Sequence, residues 1–140
     1  MSDISVNATN FGIITTMPYR ILSVTAIENV TKAQAAYIDP TTGKFGIADA
    51  NVAGKQQLRG VFLETQYANY PVDLLLDGYL FGYDLSGLNY GALLYLSDTA
   101  GAFADAVGTL TVHAGRVFPI NDSTLTKAFY LQSDWLRTWA

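Results

Sequence analysis

The residues that could do chemistry are few in this chain of 140 residues. Cysteine is absent and His113 is the one histidine, so a zinc site would need mostly carboxylate ligands, which is rare for zinc. His113 also lacks the Gly-x-Ser-x-Gly turn that accompanies many Ser-His-Asp triads. We therefore interpret His113 as an ordinary residue near the end of a strand, and we expect neither a metal nor a cofactor.

One pair of aspartates could serve in acid–base chemistry. Asp73 and Asp77 are four residues apart, so a β-strand would place both on one face. An enzyme would need both in one cleft, with the pKa of one of them raised. Because Leu74 and Leu76 alternate with acidic positions, an exposed sheet face explains the pair as well. We expect no enzyme and keep the carboxylate pair as an alternative.

Composition and charge exclude several classes of protein. Half of the residues are hydrophobic and 14% are charged, which excludes a disordered chain. The net charge of −4 argues against a nucleic-acid partner, because such a protein needs a basic surface. The longest uncharged apolar run, residues 85–97, is too short to span a bilayer, so we expect no membrane partner. No leader is visible at the start of the chain, so we expect synthesis in the cytoplasm.

The chain reads as short strands separated by turns. No window carries a convincing helical stripe, and turn residues recur about every eight to twelve residues, which predicts an all-β barrel or sandwich. We expect one β domain over residues 21–140, preceded by a different segment over residues 1–20. The predicted strands lie at residues 21–26, 35–38, 45–47, 58–63, 72–77, 79–81, 91–96, 112–118 and 128–131.

The first twenty residues differ from the rest. Residues 4–19 carry no charge and mix polar side chains with Phe11, Ile13 and Ile14, and Pro18 interrupts the run. This composition predicts an extended N-terminal arm that lies on another surface. A frayed terminus is the alternative.

A weak internal repeat runs through the middle of the chain. Tyr37, Gly43 and Phe45 recur as Tyr95, Gly101 and Phe103, each 58 residues later. A second match, residues 60–62 with residues 115–118, follows at an offset of about 56 residues. We interpret the repeat as two similar hairpin units that pack their apolar faces together, with chance similarity as the alternative.

Aromatic residues are the most prominent feature of the composition. Nine tyrosines, seven phenylalanines and two tryptophans exceed the needs of a small core. Large aromatic side chains are typical anchors of protein interfaces, so we expect roughly half of them in the core and half in interfaces. The candidates for an oligomer interface are Tyr79, Phe81, Tyr83, Trp135 and Trp139.

Residues 30–120 resemble the decoration (cement) proteins and related fibre domains of phage heads. The segments that carry the resemblance are residues 36–38, 60–63, 91–97, 99–101 and 115–117. The resemblance implies a small barrel or β-tulip-like fold and a homotrimer. It also implies a place on the outside of the virion, where such a protein binds the major capsid protein at junctions between capsomers of the expanded capsid.

The resemblance also suggests how the chain would reach the capsid. The N-terminal arm could add a strand to an exposed sheet edge of the shell, with contacts from Phe11, Ile13, Ile14, Tyr19 and Arg20. The alternative is a glycan- or receptor-binding module of a phage fibre or tail, because exposed tyrosines and tryptophans also stack on sugars.

Overall fold

The computed structural model describes residues 2–120, 125–133 and 135. These residues form ten strands and one short 3-10 turn, Ala8–Asn10, and they contain no α-helix, so the prediction of an all-β protein is confirmed. The strands are β1 (Gly12–Ile13), β2 (Arg20–Thr25), β3 (Ala35–Ile38), β4 (Phe45–Ile47), β5 (Leu58–Phe62), β6 (Pro71–Phe81), β7 (Leu93–Leu96), β8 (Phe103–Ala104), β9 (His113–Ile120) and β10 (Thr126–Gln132).

The ten strands form one curled antiparallel sheet with β6 at its centre. The strand order is β4-β3-β5-β6-β10-β9-β7-β8, and β1 and β2 pair with β6 outside this path. The first half of β6 pairs with β2 and β5, and its second half pairs with β1 and β10. This long strand therefore joins two groups of strands, one made of β2, β3, β4 and β5 and the other of β7, β8, β9 and β10.

One group of strands closes on itself. At the end of β2, Ala26 forms a parallel bridge with Phe45 of β4, and the Ile27 N–H donates to the Phe45 carbonyl at 2.8 Å. This bridge completes a ring of β2, β6, β5, β3 and β4, in agreement with the predicted small barrel. The ring encloses one apolar cluster, which consists of Val24, Ala26, Val30, Ala36, Phe45, Phe62, Val72 and Leu74. The β-tulip-like variant stays a prediction.

A second and larger core draws on both groups of strands. Leu58, Val61 and Leu75 enter it from the small barrel, whereas Leu94 and Phe129 enter it from β7 and β10. All five side chains are fully buried. Burial of this apolar surface is the main force that holds the two groups together.

The sequence repeat is also a structural repeat. In the hairpin of β3 and β4, Ile38 pairs with Phe45, and in the hairpin of β7 and β8 the equivalent pair is Leu96 and Phe103. The next strand of each unit, β5 or β9, then pairs with the first strand across a register shift. The shift falls between residues 36 and 37 in one unit and between residues 94 and 95 in the other, which are equivalent positions.

A glycine lies beside each of these register shifts. Gly60 pairs with Ala36, and Gly115 pairs with Leu94. A Cβ on Gly60 would lie 2.2 Å from the Leu75 carbonyl oxygen, and one on Gly115 would lie 1.9 Å from the Tyr130 carbonyl oxygen. The close approach of the neighbouring strand therefore requires glycine at both positions.

The N-terminal segment lies along the body of the protein. The Ile4 N–H donates to the Phe103 carbonyl at 2.8 Å, Val6 forms a bridge with Tyr83, and β1 pairs with the end of β6. Ile4 and Phe11 are buried in the larger core. In this structure residues 2–13 thus occupy an edge of the chain's own sheet.

Candidate functional site

The most prominent surface feature is an aromatic face on β6, β9 and β10, which we define by Tyr79, Phe81, Phe118 and Tyr130. The rings of Tyr79 and Tyr130 stack with their centroids 4.6 Å apart and their planes at 22°. The centroid of the Phe118 ring lies 5.2 Å from that of Tyr79 and 5.9 Å from that of Tyr130. Three of the four rings therefore contact one another across three strands.

Strand alternation explains why these rings share a face. Tyr130 of β10 lies directly opposite Tyr79 of β6, and its chain neighbours Phe129 and Leu131 are buried in the larger core. Side chains along a strand alternate between faces, so the residues next to core positions point outward. Small residues leave room for the rings: Ala128 lies opposite Phe118 and is fully buried.

Phe81 extends the face toward the N-terminal segment. Its ring covers Gly12 of β1, where a Cβ would come within 2.8 Å of the ring. Phe81 is nevertheless 39% exposed and Phe118 is 38% exposed. Contiguous exposed apolar surface of this kind marks interaction sites in soluble proteins.

Charged groups lie beside the aromatic face, among them Arg116, which is directly opposite Tyr130. Burial raises the pKa of the Tyr130 hydroxyl, and the charges of Asp77 and of ionised Tyr79 raise it further. Asp77 pairs with Gln132, two residues beyond Tyr130, and its carboxylate accepts hydrogen bonds from the Arg20 guanidinium, with Nε at 2.8 Å. An apolar centre with a charged border is the usual anatomy of a protein interface.

The five residues predicted for an oligomer interface have different locations. Tyr79 and Phe81 belong to the aromatic face. Trp135 is 38% exposed, and the Arg59 guanidinium lies over its ring at 5.1 Å from the centroid. Trp139 lies outside the described residues.

Tyr83 is partly buried and packs against the larger core, so it does not belong to the aromatic face, and its place in an oligomer interface stays a prediction. Gly82 adopts a φ of 106°, which interrupts the alternation that would have kept Tyr83 on the same face as Phe81. The centroid of the Tyr83 ring lies 5.0 Å from that of Phe129 and 6.0 Å from that of Phe103. The Tyr83 hydroxyl donates a hydrogen bond to the Ala33 carbonyl at 3.1 Å.

The predicted capsid-contact residues differ in how far they are buried. The structure corrects the prediction for Phe11, because this side chain is buried. Its ring packs edge-on against that of Tyr83, with the two centroids 5.9 Å apart. Ile13 and Ile14 are partly buried, and Ile13 packs against the larger core. Tyr19 and Arg20 are exposed, so both are accessible to a partner.

The residues considered for chemistry do not form a cluster. His113 begins β9, with its ring 5.2 Å from that of Tyr95. A register shift between β2 and β6 lies between the positions of Asp73 and Asp77, and Asp77 is paired with Arg20. Among the residues that the structure describes, no group of three His, Cys, Asp or Glu residues could hold a metal ion.

Sequence reasoning missed two members of the aromatic face. Phe118 and Tyr130 each lie beside a buried apolar residue, Val117 or Phe129, within a predicted strand. Such alternation is the signal that could have assigned them to the outer side of the sheet.

Comparisons with protein-family models, with curated proteins and with solved structures found no match. The resemblance to phage decoration proteins therefore stays a prediction. In the part of the chain that the structure describes, no helix has the length and apolar character needed to cross a bilayer.

Proposed function

We propose that this chain is a decoration (cement) protein of a phage head. In this proposal it binds the major capsid protein on the outer surface of the expanded capsid and stabilises the junctions between capsomers. The aromatic face is the observation that carries the proposal, because it is a partly exposed cluster of rings with no reactive group at its centre. The particle itself is suggested by the resemblance over residues 30–120.

We assign the aromatic face to the contact between copies in a homotrimer. Tyr79, Phe118 and Tyr130 already contact one another, so little side-chain entropy is lost when a neighbour covers them. Aromatic residues of this kind often contribute most of the binding energy of an interface. A trimer would engage several capsid subunits at once and convert weak single contacts into strong attachment.

Binding of this kind would stabilise the capsid by mass action. A protein that binds the expanded shell and not its precursor shifts the equilibrium toward the expanded state. Exposed Tyr19 and Arg20 remain candidates for the capsid contact, because they end the N-terminal segment at the surface.

The proposal is tested by co-sedimentation with empty expanded heads of the phage that encodes the chain. We expect the wild-type protein to co-sediment and Phe118→Ser to bind at least about tenfold more weakly, since loss of the trimer removes multivalent attachment. Tyr67→Ser is the matched control, because Tyr67 is 69% exposed and lies outside the aromatic face. Failure of the wild-type protein to co-sediment would contradict the proposal.

One observation favours a second function. Tyr67 and Tyr70 lie in the connection between β5 and β6. Among the described residues they are the two most exposed large hydrophobic ones, at 69% and 57%. A glycan- or receptor-binding module of a phage fibre or tail would use such rings to stack on sugars. Binding to a glycan array that is lost in Tyr67→Ser and kept in Phe118→Ser would favour this function over the first.

A further inference from the structure

The second feature with binding capacity is the outer edge of β2. Among the described residues, β2 pairs with β6 alone over Arg20–Val24, and the bridge to β4 begins only at Ala26. The first and last strands of the sheet order, β4 and β8, already form further backbone hydrogen bonds at their outer edges. The Ile27 N–H donates to β4, and the N-terminal segment pairs with β8. A strand with an unpaired edge presents backbone groups that a further strand can bind.

The hydrogen bonds of β2 identify which groups are free. The Ala26 N–H donates to the Tyr70 carbonyl, and the Asn69 N–H donates to the Ala26 carbonyl, so the backbone of residue 26 is directed toward β6. In an antiparallel ladder the direction alternates from residue to residue. Val24 and Leu22 are therefore directed toward β6 as well, whereas Ile21 and Ser23 direct their N–H and C=O groups to the open edge.

The side chains along this edge favour association. Four consecutive residues of β2, Arg20 to Ser23, are exposed, and among them Ile21 and Leu22 are 43% and 49% exposed. Strands that must stay unpaired usually carry Lys, Pro or an inward charge, and residues 21–24 contain none of these. The one charge of β2, on Arg20, is already paired with Asp77.

We propose that this edge binds the same edge of a second copy of the chain, in an antiparallel β2–β2 contact with twofold symmetry. A partner strand must itself have an open edge, and β2 of a second copy meets that requirement. With Leu22 at the twofold axis, Ile21 of each copy lies opposite Ser23 of the other. Both pairs can then exchange two hydrogen bonds through their free backbone groups. No charged pair is brought into contact, because Arg20 lies opposite Val24 in this register.

This contact is separate from the threefold contact proposed on the aromatic face, so the two can be tested independently. Native mass spectrometry over a concentration series counts the copies in the wild-type protein. Two or six copies would support the β2 contact, with six copies also supporting the trimer. One or three copies would contradict the β2 contact, and three copies alone would leave the trimer supported.

The decisive variant is Ser23→Pro, which removes an N–H that is directed to the open edge and leaves the β2–β6 hydrogen bonds in place. We expect it to halve the number of copies. Ser23→Ala keeps this N–H and should retain the wild-type number. If Ser23→Pro does not fold, Ile21→Lys places like charges close together across the contact and should also halve the number. An unchanged number in a folded variant would overturn the proposal.

Discussion

The hydroxyl of Tyr83 is partly buried and donates its hydrogen bond to the Ala33 carbonyl. Phe11, Phe103 and Phe129 surround the ring. Removal from water disfavours the ionised phenolate, so burial raises the pKa of Tyr83 well above its usual value. One tyrosine that composition alone assigned to an interface thus holds the N-terminal segment, the end of β6 and the larger core together.

This environment predicts a stability change that depends on pH. The folded state favours the neutral hydroxyl. Its contribution to the free energy of unfolding is therefore complete below the unfolded-state pKa of about 10, and it is lost as the pH rises above that value. Tyr83→Phe should lower the free energy of unfolding by about 1 kcal/mol at pH 7, because the Ala33 carbonyl loses its donor. The variant should also lose less stability than the wild-type protein between about pH 9 and pH 11.

Urea denaturation at several pH values measures both effects. Burial also raises the pKa of Tyr37 and Tyr130, but these residues are present in both proteins, so the difference between the two slopes isolates Tyr83. Equal losses of stability in the two proteins above pH 10 would contradict the burial of the Tyr83 hydroxyl.

Two elements, β5 and β9, depend on a glycine at the same place in the repeat. A Cβ at Gly60 or Gly115 would overlap the carbonyl oxygen of the neighbouring strand. Gly60→Ala and Gly115→Ala should each lower the free energy of unfolding by about 1–3 kcal/mol or more, because backbone must move to accommodate the methyl group.

Gly87→Ala is the matched control, because no atom lies within 4 Å of the position of its Cβ. It should change stability by no more than about 0.5 kcal/mol. Thermal unfolding followed by circular dichroism measures all three variants. Equal stability of the three would show that the close strand approach is not a feature of the folded protein.

The elements that the sequence predicted well are those with strong local signals. Turn residues and β-branched runs located most of the strands, and the 58-residue repeat anticipated two matching hairpin units. The register shifts beside Gly60 and Gly115 could not be predicted, because a bulge depends on contacts between strands and not on local composition. For the same reason, the faces of Asp77 and Tyr83 could not be assigned by simple alternation along β6.

The N-terminal segment shows a different limit of sequence reasoning. Its uncharged composition, with several apolar side chains, predicted an extended segment that lies on another surface. The pattern does not specify whose surface, and in the structure residues 2–13 pack on the chain's own sheet, with Ile4 and Phe11 in the core. Deletion of the whole segment would therefore remove part of the core together with any surface contact.

The whole molecule is a small barrel joined through β6 to a second group of strands. This arrangement leaves the aromatic face and the β2 edge on the surface, and we propose that both bind a partner, in different ways. One offers rings for packing, and the other offers backbone groups for strand addition. A protein that acts by adhesion needs such surfaces and does not need a catalytic cluster.

The central claim is adhesion to the phage head, and an electron cryomicroscopy map of the intact particle tests it most directly. We predict density for this chain on the outer surface at the junctions between capsomers, with Tyr79, Phe118 and Tyr130 covered by a neighbouring copy. The same density should be missing from particles that lack its gene. A map without the chain on the particle, or with it bound and the aromatic face open to solvent, would contradict the account.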